Sequence, residues 1–406
     1  MSPPGPRRRF IDSISAQTLI ALSFNIISLF AGGLISLFTP QFQAASWILA
    51  LFPPILTIRG GIGGIFSGNL ATMLHLGFIK PQIRDNTPLY RQLISAVFSI
   101  TLIDTLAMGL FSFTLNAALG KVTLAHLPIF VVVPPVACSL AMALSIPLTS
   151  VIAIATFRRG LDPDILVYPI LASVNDIVVT AAYVSTVLMV LWGGAYMILL
   201  WALFLAIIVA TALISWQNRR VKFFFQTIRE GTTVVIMSSL FGSVNGVFLS
   251  GLSASLLRYP GVMVLYPALT NALGNIGSII GSTTTTSLAL GYIRSLREEV
   301  REAATKVLQI EAVAFGMHAV FALTTYLIAY STPRVNLGKL MEIALLSNLI
   351  SFIPISLVSL AVAHQAFKRG LNPDNVVIPI ITTMSDTTAT LTLIPVIMIL
   401  KGLGLI

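Results

Sequence analysis

One cysteine and four histidines among 406 residues leave this chain without the means for an internal disulfide or a cysteine-based metal site. The cysteine, Cys138, is expected to pack within a helix, and His75, His126, His318 and His364 are scattered residues of packing surfaces. Charge is scarce as well. Asp, Glu, Lys and Arg make up 9% of the sequence, whereas soluble domains carry about 25%, so an ordinary soluble globular fold is excluded. What fills the chain instead is hydrophobic residues, 56% of the total, in runs of roughly 20 or more with short polar breaks between them. That is the pattern of an all-α polytopic membrane protein embedded in a lipid bilayer.

Breaks at charges, prolines and glycine pairs give eleven spans, near 14–38, 44–78, 92–119, 126–156, 165–191, 194–216, 232–257, 262–292, 307–331, 340–364 and 375–400. "RRRF" before the first imitates a secretory leader, but the apolar stretch is too long and no small-residue cleavage pattern follows. A retained first helix is expected. The second and eighth spans are rich in glycine and proline and are expected to be tilted or broken. Alternating the spans across a membrane puts 18 of the 24 Lys and Arg on one side and five on the other, with Arg59 inside a span. The richer side is cytoplasmic. The expectation is a multi-pass protein of the cell membrane, N-terminus inside and C-terminus outside. The net charge of +10 then reports topology, and no nucleic-acid partner is expected.

The sequence is also duplicated. "FRRGLDPDILVYPILASVND" (157–176) matches "FKRGLNPDNVVIPIITTMSD" (367–386), and "PILTIRGGIGGIFSGNLATMLHLG" (54–77) matches "ALTNALGNIGSIIGSTTTTSLALG" (268–291). "IDTLAMG" (103–109) matches "IEAVAFG" (310–316). The boundaries expected are a first five-helix repeat over 1–192, a linking transmembrane helix with a basic loop over 193–222, and a second repeat over 223–406. Five spans per repeat plus one linking span make the repeats parallel, related by an axis along the membrane normal. One chain then supplies a two-fold pore by itself.

Most of the 14 acidic residues fall in cytoplasmic loops, where Asp162 and Asp164 are placed to cap the fifth helix. Four lie within spans as repeat-related pairs: Asp104 with Glu311, and Asp176 with Asp386. A carboxylate near mid-membrane costs about 2.5–3.5 kcal/mol on insertion scales. Two such pairs preserved through a duplication point to function rather than accident. Pro169, Ser173, Asp176 and Thr180 share one helical face, and Pro379, Thr383, Asp386 and Thr390 repeat the spacing. If these polar stripes face each other across the axis, two like charges meet unless a proton or a cation neutralises them. A divalent cation suits the arrangement. Mg²⁺ keeps several waters and needs only one or two carboxylates with other oxygens nearby. Asn69 and Asn275, within the glycine-rich spans, are candidates to line the same cavity. Arg59 is placed either to offset nearby carboxylates or to snorkel to the interface.

These residues carry a resemblance. The proline-to-aspartate pattern of the fifth span, the "DPD" turn before it and the glycine-rich second span resemble the membrane domain of MgtE-type magnesium transporters. The duplicated branch, including the solute carriers of family 41, is the nearer likeness. The resemblance implies a transporter and not an enzyme, with Mg²⁺ as transported ion and no organic cofactor. An aspartate of the fifth helix from each half would bind a largely hydrated ion, which picks out Asp176 and Asp386. Oxygens around Ala172, Ser173, Thr382 and Thr383 would support it. The "GD" common in the family reads "ND" and "SD" here, so Asn175 and Ser385 are expected to tune selectivity. Asp104 and Glu311 are assigned to the vestibule. The cytoplasmic sensing domains of bacterial MgtE have no counterpart before the first span, so gating is expected within the membrane domain or from a partner.

Two other classes compete. A proton- or sodium-coupled carrier of another solute would also use intramembrane carboxylates. An intramembrane aspartyl protease needs two facing aspartates, but its G-x-G-D context is missing here.

Overall fold

A backbone inside the hydrocarbon core has no water to bond, so each apolar run must satisfy its own N–H and C=O groups, and a helix does so. The structure is a computed structural model that describes residues 14–38, 45–158, 163–251, 261–289, 296–329, 335–370 and 373–402. The described residues hold eleven helices long and apolar enough to cross a membrane, and no strand among them. They are α1 (Ile14–Ser36), α2 (Ser46–His75), α3 (Pro88–Ala118), α4 (Leu127–Arg158), α5 (Pro163–Trp192), α6 (Gly194–Gln217), α7 (Lys222–Gly251), α8 (Gly261–Ala289), α9 (Leu296–Ile328), α10 (Leu337–Lys368) and α11 (Pro373–Gly402). The protein is an all-α polytopic membrane protein.

Three differences from the expected spans have physical causes. The second and eighth spans run unbroken, although Pro53 and Pro54 lie inside α2 and Pro267 inside α8. Neighbouring helices tolerate the lost backbone bonds inside a membrane bundle. The first span, by contrast, is interrupted at Phe24, between Ile14–Ser23 and Asn25–Ser36. The Ser23 hydroxyl bonds back to the Leu19 carbonyl at 2.6 Å, a contact that bends helices. Finally, α7 and α9 start well before their apolar cores. "LREEVREAATKV" at the head of α9 consists largely of strong helix formers, so hydropathy marks the span and not the helix. The capping expected of Asp162 and Asp164 falls outside the described residues and side chains.

Helices α2 and α8 are the most buried of the eleven, and α6 is the least. Helix α6 packs on α3, α4 and α5 and leaves large apolar side chains such as Leu205 and Leu213 facing outward, as lipid contact requires. The N-terminal helix does not pack chiefly on its sequence neighbours. The second half of α1 lies against α8 and α5, and its first half against α9. Helix α7 does the reciprocal thing, lying against α2, α3 and α11. Two glycines make both crossings possible. A Cβ on Gly32 of α1 would stand 2.2 Å from the Val264 carbonyl oxygen of α8, and one on Gly246 of α7 would stand 2.2 Å from the Ala50 carbonyl oxygen of α2. The members of each equivalent pair are 214 residues apart in sequence, so the contact repeats with the duplication. Only glycine permits such backbone approach between membrane helices.

Candidate cation site

The site lies where α1, α2, α5, α8 and α11 meet. Asp176 on α5 is buried and forms an ion pair with buried Arg59 of α2, Nη2 to Oδ1 at 2.6 Å. Its second carboxylate oxygen accepts a short hydrogen bond from Asn271 Nδ2 of α8, and the Ser28 hydroxyl of α1 is a further donor. Arg59 also donates from Nη1 to the Ala172 carbonyl at 2.9 Å and reaches Asn271 Oδ1 at 3.5 Å. Asp386 on α11 is half-buried, and its carboxylate takes a hydrogen bond from the Thr57 hydroxyl of α2. The charges of Asp386, Asp176 and Arg59 interact with one another.

The donors are arranged crosswise. Asn271 of α8 bonds the aspartate of α5, while Thr57 of α2 bonds the aspartate of α11. In the matched glycine-rich segments Thr57 and Asn271 occupy the same position. The neighbouring hydroxyls instead bond within their own halves. Ser173 donates to Asn25 Oδ1 of α1 at 3.1 Å, and its counterpart Thr383 donates to Ser238 Oγ of α7 at 2.6 Å. The positive charge is not repeated: the position matching Arg59 is Leu273.

Other residues named from the sequence divide into those drawn to this cluster and those that are not. Asn275 donates to Asn25 Oδ1 at 2.9 Å, which joins α8 to α1 beside Ser173. Thr382 lies between Gly60 of α2 and Gly274 of α8, where an added Cβ would stand 3.9 and 4.0 Å from it. Its hydroxyl bonds the Pro379 carbonyl of its own helix at 3.0 Å. Thr390 bonds the Asp386 carbonyl and the Tyr266 hydroxyl, at 2.7 and 2.8 Å. Asn175 and Thr180 are buried, and neither Asn175 Oδ1 nor the Thr180 hydroxyl has a hydrogen-bond partner among the described residues. Ser385 bonds back to Ile381 at 2.8 Å, and Asn69 bonds back to Ile65 at 2.8 Å. Asp104 of α3 is fully buried with both carboxylate oxygens unpartnered among the described residues, while Glu311 of α9 accepts from Asn348 Nδ2 at 2.8 Å.

Reading the sequence missed Asn25, Ser28, Thr57 and Asn271. Asn25 and Ser28 are three apart in an apolar span, a polar face that the sequence displays. Thr57 and Asn271 are visible only as aligned polar positions in the repeat. Among the described residues no three His, Cys, Asp or Glu gather into a group. An ion at this place would therefore meet two carboxylates, amide and hydroxyl oxygens, and its own water, which is hard oxygen chemistry.

Over 96% of its length the chain is 22% identical to solute carrier family 41 member 3 of Rattus norvegicus, covering 88% of that protein. The Mus musculus protein of the same name is also 22% identical over 96% of the chain and is covered to 83%. A solved structure, a MATE in complex with Br-NRF, aligns over 98% of this chain and 97% of its own at 16% identity. Its TM-score of 0.30 establishes no shared fold. The family model for MgtE, described as a divalent cation transporter, matches twice, over residues 52–186 and 266–396. Those two stretches make up well over half the chain and contain one site aspartate each, and the chain belongs to the MgtE family of divalent cation transporters.

Proposed function

We propose that this protein carries Mg²⁺ across the cell membrane along the axis between residues 1–192 and 223–406, with a largely hydrated ion held by Asp176 and Asp386. The crosswise donor set is the observation that carries the reading: besides the Arg59 pair within the first half, each aspartate meets a donor from the glycine-rich helix of the opposite half, which supports one path shared by both carboxylates. Waters bound to Mg²⁺ are hydrogen-bond donors, and the buried acceptors Asn175 Oδ1 and Asn275 Oδ1, unpartnered among the described residues, suit such an ion. Ser173, Thr383 and the backbone oxygens at Ala172 and Thr382 complete the polar wall. The linking helix and basic loop of 193–222 return the chain to the cytoplasm, with the N-terminus inside and the C-terminus outside. A single chain is sufficient for the path.

A second reading, a proton- or sodium-coupled carrier, is favoured by Asp104, a buried carboxyl group unpartnered among the described residues. One experiment separates the two. Protein reconstituted in liposomes takes up Mg²⁺ down its own gradient on the first reading. Uptake only when a proton or sodium gradient is imposed would support coupling, and no divalent uptake under either condition would refute the proposal.

A further inference from the structure

Arg59 breaks the two-fold pattern at the one place where a charge matters most. Its counterpart is Leu273, so the pair of carboxylates is matched by a single fixed guanidinium, bound to one aspartate at 2.6 Å. Both oxygens of Asp176 are engaged, one by Arg59 and the other by Asn271. A divalent cation cannot share that first oxygen with a guanidinium, because two positive groups would then meet in a buried setting. Asp386 differs: it is half-buried and its hydrogen-bonding donor is a neutral hydroxyl.

The geometry points to Arg59 as a tethered cation that competes with the transported ion for Asp176 and is displaced when that ion binds. This rests on the divalent-cation reading of the site. Asp386 offers the first contact, and the full two-carboxylate site forms only as Arg59 withdraws. The same guanidinium also bridges α2 to Ala172 of α5 and to Asn271 of α8. Its withdrawal therefore removes a clamp across three helices that line the path, and ion binding is linked to their separation. Arginine suits the role because its planar fork reaches a carboxylate and two carbonyl-type oxygens at once.

The test is calorimetric titration of the purified full-length chain with Mg²⁺. Arg59→Gln keeps a polar side chain near the Ala172 carbonyl and removes the charge. It is expected to bind Mg²⁺ about tenfold to a hundredfold more tightly than the unaltered protein, the equivalent of one charge-assisted contact no longer opposed. Arg59→Lys keeps the charge and is expected to stay near the unaltered affinity. If Arg59→Gln bound Mg²⁺ no more tightly, or if both variants moved together, the competition would be disproved while the site reading stood. Absence of Mg²⁺ binding in every protein, the unaltered one included, would remove the site reading and this inference with it. Should Arg59→Gln fold only when Mg²⁺ is supplied, that too supports displacement, since the ion then replaces the missing charge. Should it not fold at all, Arg59→Gln with Asp176→Asn leaves no unpaired charge. That double variant is expected to bind Mg²⁺ more tightly than Asp176→Asn alone, because the guanidinium charge no longer repels an ion held at Asp386, and equal affinity would overturn the inference.

Discussion

Replacing Asp176 by asparagine should destabilise the protein far more than the same change at Asp386, although the two residues are equivalent in the duplication. Asp176→Asn leaves the Arg59 guanidinium buried with no counter-charge, only the Ala172 carbonyl and Asn271 Oδ1 to accept from it. Removing one partner of a buried ion pair costs about 3–5 kcal/mol, and the new amide oxygen, which can still accept a bond, places this case near the lower end. Asp386→Asn strands no cation. It weakens one hydrogen bond from Thr57, about 0.5–1.5 kcal/mol, and relieves the repulsion between the two carboxylates. Thermal melts of the purified variants in detergent, without divalent cations, should therefore rank Asp176→Asn well below Asp386→Asn. Adding Arg59→Gln to Asp176→Asn should recover most of the loss, because two neutral polar groups replace a broken pair. Equal melting temperatures for the two single variants would refute the reasoning, since the asymmetry introduced by Arg59 would then carry no energetic weight.

Further outcomes follow from the packing and the site. Gly32→Ala and Gly246→Ala should each destabilise the bundle, by about 1–3 kcal/mol or more, because a Cβ at either meets a backbone oxygen of the crossing helix at 2.2 Å; melts that match the unaltered protein would contradict the close approach. Asp104→Asn should leave Mg²⁺ binding unchanged and the fold at least as stable, since the carboxyl has no partner among the described residues to lose; calorimetry and a melt check both. A reporter fused after Ile406 should read as external, and a cytoplasmic signal would overturn the parallel arrangement of the repeats.

How much of this was legible in the sequence depended on the period of the signal. Eleven spans could be counted because a membrane helix is a long apolar run, and the four acidic residues inside spans stood out against it. The duplication located Asp176 and Asp386 as a pair, because identical spacing around each survives in both copies. Helix partners were not legible. The close crossings of α1 on α8 and of α7 on α2 turn on Gly32 and Gly246, two small residues among many in the chain. Asn25 escaped notice for a related reason: its side chain enters the site from just beyond the break at Phe24, and no proline or glycine announces that break. The sequence places Arg59 either to offset a carboxylate or to snorkel. Its burial and its bond to Asp176 select the first. The crosswise roles of Thr57 and Asn271 needed the fold, since a threonine and an asparagine at matched positions gain meaning only when each is seen against the opposite aspartate.

The most direct test of the central claim is the Mg²⁺ affinity of Asp386→Asn, the variant that removes a site carboxylate without stranding Arg59. Loss of one charge-assisted contact should weaken binding by about one to two orders of magnitude, with the metal-free protein melting near the unaltered temperature. Undiminished Mg²⁺ affinity in that well-folded variant would contradict the account.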